Sequence, residues 1–319
     1  RRGWQRKFYN DAMSRWEPDR YLRYGDERTR PATDLAAQVA VAVPRRIIDL
    51  GCGPGNSTEV LCRRWPEAHV VGLDSSPAMI ASARAQYAER EWQLGSIETW
   101  APAEPYDVVF SNAALQWVPD HDRLVKRLFG YVAAGGALAF QVPSATYARV
   151  RTLIHEIAQG GPWATRMSGA LSALTLESPD FYYDCLAPSA GMVDVWETEY
   201  MHVLASPSAI VDWMSATGLR PFLDALEPGA ESEEFLMRLR GRVAEAYEFR
   251  ADGRVLFCVS THVRDCVRVA VTVAVSARRP AGPPSSSPRI RAARPRWGRR
   301  SSVPTRRAPS PRRTSAPAG

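Results

Sequence analysis

Short aliphatic runs alternate with stretches of helical period through the first half of this chain. Arg46-Ile47-Ile48-Asp49-Leu50 reads as a buried strand that runs into Gly51-Cys52-Gly53-Pro54-Gly55. A helix should follow, with Asn56 and Glu59 at capping-box spacing. His69–Asp74 reads as a second strand. Ser76 then caps a helix with Pro77 at its first position and Met79, Ile80, Ala83 and Tyr87 as its inner stripe. Trp92–Leu94 is a brief third strand and Tyr106–Ser111 a fourth. Asp120 starts a helix carrying Leu124, Val125 and Leu128, and Gly135-Gly136 turns into a fifth strand, Ala137–Val142. Alternation at this spacing predicts an α/β fold, a doubly wound parallel sheet with helices on both faces.

The pattern changes after Pro143. Two helix-rich stretches, roughly 144–190 and 206–249, flank one alternating strand, Met192–Tyr200, as expected of insertions that build a lid over the sheet. Residues 254–276 are valine-rich and strand-like, enough for a last strand or two. The expected organisation is a leader (1–12) ahead of Met13, which reads as a natural start, a core (13–143), and a lid with late strands (144–257). An altered segment (258–277) and a disordered Arg/Pro/Ser-rich tail (278–319) complete it.

Charge distribution changes the partner expected from a pI near 9.4. Twelve arginines and no acid lie in 278–319, and residues 1–12 hold four basic groups against one acid. A net +7 overall therefore leaves residues 13–277 at −8. The folded body is acidic, so a nucleic-acid partner is not expected. Five scattered cysteines (Cys52, Cys62, Cys185, Cys258, Cys266) form no CxxC, arguing against a disulfide framework or a zinc site. No apolar run is long enough to span a bilayer. A cytoplasmic monomer without a membrane or metal is expected.

The chemistry-bearing motif is Asp49-Leu50-Gly51-Cys52-Gly53-Pro54-Gly55 with Asp74 closing the next strand. Alternate glycines let backbone pass close beneath a ligand. The GxGxG spacing differs from the GxGxxG of dinucleotide binders, in which a helix N-terminus carries a pyrophosphate. An ionised Asp74, acceptor-only, suits the two hydroxyls of a nucleoside ribose.

Residues 46–142 resemble the class I S-adenosylmethionine-dependent methyltransferases, with their Rossmann-like sheet. Met13 to about Leu256 is similar to the trans-aconitate 2-methyltransferase family within them. The resemblance is carried by Trp16-Glu17-Pro18 with Tyr21-Leu22, Glu27–Ala32, Asp49–Thr58, Arg64-Trp65-Pro66 and Asp74–Ile80. It continues through Ser111–His121, Gln141-Val142-Pro143, Asp194–Thr198 with Tyr200 and His202, Asp212-Trp213 and Thr217–Pro221. It implies S-adenosyl-L-methionine as cofactor and a small polycarboxylate as substrate, esterified on one carboxylate. By that similarity Asp49, Gly51 and Gly53 frame the methionine part, Asp74 and Ser75 the ribose, and Asn112 the floor near the sulfonium. Arg30 is the candidate for the methionine carboxylate, a surface ion pair being the alternative. Arg220 and His202 are the candidate counter-charges for the substrate; Tyr21, Tyr182, Tyr183, Trp117 and Trp196 would supply donors or walls, or simply pack. A carboxylic acid of pKa about 4 arrives ionised, so no catalytic base is required.

Two departures from the family pattern stand out. An acidic residue usual for the adenine amino group is replaced in Leu94-Gly95-Ser96-Ile97, leaving Ser96 as a hydroxyl acceptor and predicting weaker cofactor affinity. After Phe257 the family's arginine-bearing last strand gives way to Cys258-Val259-Ser260-Thr261-His262. A frame change near Phe257 would account for this, with a central strand missing and an unstable or inactive enzyme as the consequence. The competing expectations are a methyltransferase esterifying a malonyl-thioester or another dicarboxylate, a cofactor-binding protein inactive through its altered C-terminus, and a cofactor-binding protein whose arginine tail docks on nucleic acid.

Overall fold

The computed structural model describes residues 18–143, 149–258 and 268–274. Helices α1 (Pro18–Leu22) and α2 (Gly25–Gln38) lead into β1 (Arg46–Leu50), α3 (Asn56–Arg64), β2 (His69–Asp74), α4 (Pro77–Gln86) and β3 (Glu91–Leu94). Then come β4 (Tyr106–Asn112), a 3-10 turn at Leu115–Trp117, α5 (His121–Phe129) and β5 (Val132–Pro143). The later half adds α6 (Arg149–Gly160), α7 (Ser168–Leu171), α8 (Pro179–Leu186), β6 (Met192–Thr198) and β7 (Met201–Leu204). It ends with α9 (Pro207–Ser215), α10 (Arg220–Asp224), α11 (Ala230–Ala246), β8 (Val255–Cys258) and β9 (Arg268–Ala274).

Seven strands form one sheet in the order β3-β2-β1-β4-β5-β9-β6. The first five are parallel, and β9 runs antiparallel to both β5 and β6. Alternate side chains of β1 face opposite ways, so Ile48 packs with Leu124, Leu128 and Tyr182 while Ile47 packs with Ala32, Leu35 and Leu61. Each such side chain, fully buried, contributes about 1.5–3 kcal/mol. Strand order reverses between β1 and β4, so a crevice opens at their carboxyl edge. A second two-stranded sheet, β7-β8, joins α6, α9 and α11 around a separate core that includes Val150, Trp163, Trp213, Phe235 and Phe257.

The structure modifies the expected elements in four places. Asn56 is not a capping residue: Gly55, left-handed at φ 99, precedes the helix and no side chain caps it. Glu59 pairs instead with Arg63 and Arg90. Gly135-Gly136 lies within β5, where the register with β4 shifts, making a bulge rather than a turn before the strand. The run Met192–Tyr200 ends at Thr198, and His202 sits on β7 of the other sheet. Finally, Arg268–Ala274 fills the place between β5 and β6 that the altered C-terminus was expected to leave empty, so the sheet is continuous.

Ser76 caps α4 as expected, accepting from the Met79 N–H, and Met79, Ile80 and Ala83 are its buried face. The leader, Trp16 and Glu17, Cys266 and the basic tail lie outside the described residues. Among the described residues no helix is long and apolar enough to cross a membrane.

Candidate active site

β1 ends by delivering Asp49 and Leu50 into the glycine turn, whose three glycines have three different physical reasons. Gly51, at φ 75, has its Cα so close to Ala114 that a Cβ would overlap that side chain. Gly55 packs against the Trp92 ring, which a Cβ would approach to 2.7 Å. Only Gly53, at φ 55, faces open space, with nothing within 4 Å of where its Cβ would be. The bare backbone available to a ligand is therefore at Gly53.

Asp74, at the end of β2, holds this turn in shape. Its Oδ2 accepts from the Gly53 N–H at 2.9 Å and its Oδ1 from the Ser76 N–H at 2.8 Å. Burial pushes its pKa up against the pull of backbone N–H groups at Ser76, Gly53 and Ser75. A carboxylate has about four acceptor positions, so a ribose hydroxyl can still be received there beside these N–H groups. Ser75 is half-buried beside it.

Asp49 is fully buried. One oxygen accepts from the Ser57 and Thr58 hydroxyls at 2.6 and 2.7 Å, and the other, Oδ1, has no protein partner. Burial pushes its pKa up to about 6. Asn56, at the start of α3, presents a second orphan. Thr29 gives its hydroxyl hydrogen to the Gly25 carbonyl at 2.6 Å, so toward Asn56 it can only accept, and the Asn56 Nδ2 donates to it at 3.2 Å. The amide is thereby oriented, and its Oδ1 is buried without a partner. Buried acceptors left bare call for a donor. An α-ammonium group, with three N–H donors, meets that need, so these residues fit the methionine end of S-adenosylmethionine.

At the end of β4, the Gln141 Nε2 donates to the Oδ1 of Asn112, the expected floor residue, and fixes its amide. The Ser111 hydroxyl donates to the Leu50 carbonyl at 2.8 Å and locks β4 to β1. Ser96 is half-buried after β3, its Oγ accepting from the Glu98 N–H at 3.2 Å.

Arg30, the candidate for the methionine carboxylate, lies on the outer side of α2. Its exposed side chain lies 4.0 Å from Asp34 and over the Tyr200 ring at 5.3 Å, the surface ion pair that was its alternative reading. The arginine that α2 buries is Arg28. Its guanidinium lies 4.5 Å from the centre of the Tyr21 ring and 4.7 Å from the centre of the Trp213 ring, and Nη2 donates to the Trp213 carbonyl at 3.1 Å. A charged residue on the apolar stripe with Ala32 and Leu35 was the sequence signal for it. His202 is buried in the same layer, 4.5 Å from Trp213 between ring centroids, and Arg220 is buried at the start of α10. Trp117 and Trp196 are half-buried, on the 3-10 turn and on β6 respectively. Of the two lid tyrosines, Tyr182 is a core residue and Tyr183 is exposed.

A family model for a methyltransferase domain matches residues 47–136, the stretch from β1 into β5. A trans-aconitate 2-methyltransferase of Methylobacterium radiotolerans is 47% identical over 76% of this chain and 95% of its own length. One from Variovorax paradoxus is also 47% identical, with the same coverage of both chains. One from Rhodopseudomonas palustris is 44% identical, again over 76% and 95%. Identity at this level, over nearly the whole length of each relative, shows the family, and the chain belongs to the trans-aconitate 2-methyltransferase family of class I methyltransferases.

Proposed function

We propose that this protein esterifies one carboxylate of trans-aconitate, yielding the monomethyl ester and S-adenosylhomocysteine. When bound, S-adenosylmethionine supplies an electrophilic methyl group on a sulfonium. A carboxylate oxygen forms the new C–O bond as the C–S bond breaks, and no proton has to move. The protein's part is binding, alignment and exclusion of water. Asp49, Asn56 and the Gly53 backbone would hold the methionine end, Asp74 and Ser75 the ribose, and Ser96 the adenine. Asn112, fixed by Gln141, would form the floor beside the reacting centre.

A trianionic substrate is prohibitive to bury without compensating charge. Arg28, His202 and Arg220, all buried in the layer built by α2 and the inserted elements, are the cationic or donor groups that meet that demand. Tyr21, Trp117 and Trp196 are proposed as flanking donors and walls. The observation that carries the reading is the pair of bare, buried acceptors at Asp49 and Asn56 beside an open Gly53. It is tested by calorimetric titration with S-adenosylhomocysteine, followed by a methyl-transfer assay on trans-aconitate and a panel of other polycarboxylates. Saturable binding and a product 14 mass units heavier (about one CH2) support the reading; no affinity for S-adenosylhomocysteine rejects it.

A further inference from the structure

The loop from Ala113 to Asp120 runs from the end of β4 to the start of α5 and is held at both ends in a backbone conformation that L-residues rarely adopt. Ala113 has φ 55 and Asp120 φ 59. Such residues persist where surrounding contacts over-determine them. At the donor end, the Ala113 N–H donates to the Gln141 carbonyl at 3.0 Å, and Ala114 lies against the Cα of Gly51. The Gln116 side chain braces the same end, its Nε2 donating to the Ala113 carbonyl at 2.6 Å.

The far end is held by a buried histidine. His121, the first residue of α5, is 1% exposed. Its Nε2 lies 2.9 Å from the Leu115 carbonyl, which can only accept, so Nε2 carries the hydrogen. In the neutral ring Nδ1 is then an acceptor, and the Tyr182 hydroxyl, 2.6 Å away, must donate to it. Tyr182 is itself fully buried on α8, edge-on to Phe140 of β5. The stretch ahead of α8 is tied to the same loop: the Thr175 N–H donates to the Gln116 carbonyl at 2.8 Å. Two hydrogen bonds therefore fasten the segment 175–186 to the loop whose other end abuts the glycine turn, and that segment follows directly on α7, which packs against α10 with its Arg220 on the acceptor side.

We infer that His121 and Tyr182 are positioning residues for methyl transfer, setting the register of the acceptor-side segment on the floor of the donor site. The inference rests on the proposed function above. It differs from a packing role in what it predicts: the pair should matter for the acceptor and for the turnover of the ternary complex, not for the donor alone, because the donor end of the loop has its own braces at Gln141 and Gln116.

The experiment compares wild type with Tyr182→Phe, which keeps the ring and removes only the hydroxyl. Thr175→Pro provides a second, independent variant that removes the N–H of the other tie from a segment outside the core. In both, kcat/KM for trans-aconitate should fall about tenfold while the Kd for S-adenosylhomocysteine, by calorimetry, stays within about twofold. Lower melting temperature with unaltered kcat/KM in both variants overturns the inference and leaves a packing role. Equal losses in donor and acceptor parameters overturn it too. Should Tyr182→Phe not fold, His121→Gln, which breaks the same link to the Tyr182 hydroxyl, is measured in its place and decides between these outcomes. A wild type that esterifies no polycarboxylate overturns the functional reading and this inference together, whereas an active wild type with unaffected variants overturns the inference alone.

Discussion

At the carboxyl edge of β1 and β2 the buried polar side chains present acceptors, while in the layer built by α2 and the insertions they present donors and positive charge. Asp49, Asp74 and Asn56 line the first region, two of them with an oxygen that no protein group satisfies. Arg28, His202 and Arg220 belong to the second, Arg28 lying against Tyr21 and Trp213, His202 against Trp213 and Phe257, and Arg220 buried at the start of α10. The opposition matches the two reactants. A sulfonium donor carries an ammonium group and ribose hydroxyls, which need acceptors; a polycarboxylate needs cations. Under the proposed assignment, one sheet edge and one inserted layer divide the charge of the reaction between them.

The sharpest break in the donor region comes from its glycines. Gly51→Ala combines a left-handed φ with overlap of Ala114, and each such defect costs about 1–3 kcal/mol. A lower melting temperature and at least a hundredfold loss of S-adenosylhomocysteine affinity are expected. Gly53→Ala meets no protein atom, so its fold penalty is only the φ strain, about 1 kcal/mol. Its melting temperature should fall by a few degrees while affinity still drops about tenfold, because the added methyl occupies the ligand's side. Wild-type affinity in Gly53→Ala would mean that the open face is not the ligand face.

Asp49 separates stability from binding. Its folded pKa of about 6 lies above the ordinary 3.8 because burial outweighs the hydrogen bonds from Ser57 and Thr58. A raised carboxyl contributes stability that is fully present below pH 4 and is lost as pH rises through 6. Asp49→Asn removes the ionisation, so at pH 7.5 the unliganded variant should be more stable than wild type, by up to on the order of 3 kcal/mol, with the advantage gone below pH 4. Donor affinity should move the other way, falling tenfold or more in the variant. In wild type it should weaken as pH drops through 6 and the carboxylate is protonated. Melting curves at pH 7.5 and 4 with parallel titrations check both signs.

These two regions were not equally legible in the sequence. The glycine turn, Asp49, Asp74 and the five parallel strands follow from local pattern, since strand, turn and helix are each written in a few consecutive residues. The Asn56 amide was misread as a cap because its partner, Thr29, lies 27 positions away. Arg28 and Arg30 show the same limit on one helix. Only the packing of α9 against α2 decides which guanidinium is buried, and that contact joins residues 185 apart in the chain. The two-stranded sheet β7-β8 was hidden for a similar reason: its pairing of Met201 with Cys258 and His202 with Phe257 joins segments separated by α9, α10 and α11.

That helix offers the next test. Arg28→Ala removes two ring contacts and a charged hydrogen bond from a buried site, an expected loss of about 2–4 kcal/mol in stability. Acceptor turnover should fall with it. Arg30→Ala touches an exposed pair at 4.0 Å and should change stability by no more than about 0.5 kcal/mol, with S-adenosylhomocysteine affinity within twofold of wild type. A tenfold loss of that affinity in Arg30→Ala would restore its role as the clamp for the methionine carboxylate and erase the distinction between the two arginines.

The smallest effect is expected at Ser96, where the family resemblance led to the expectation of an acidic residue. Ser96 accepts the Glu98 N–H at the start of the turn after β3, so its hydroxyl already shapes the local backbone. An aspartate there can accept the same N–H, keeping the turn, while adding an ionised acceptor for an exocyclic amine. Charge-assisted hydrogen bonds are roughly twice as strong as neutral ones, but the position is only half-buried, and water competes for both partners. Ser96→Asp should therefore tighten S-adenosylhomocysteine binding by about three- to tenfold in calorimetry, with adenosine tightened equally and methionine unaffected. A gain shared by methionine would place the new charge near the wrong end of the ligand, and no gain at all would remove Ser96 from the adenine site.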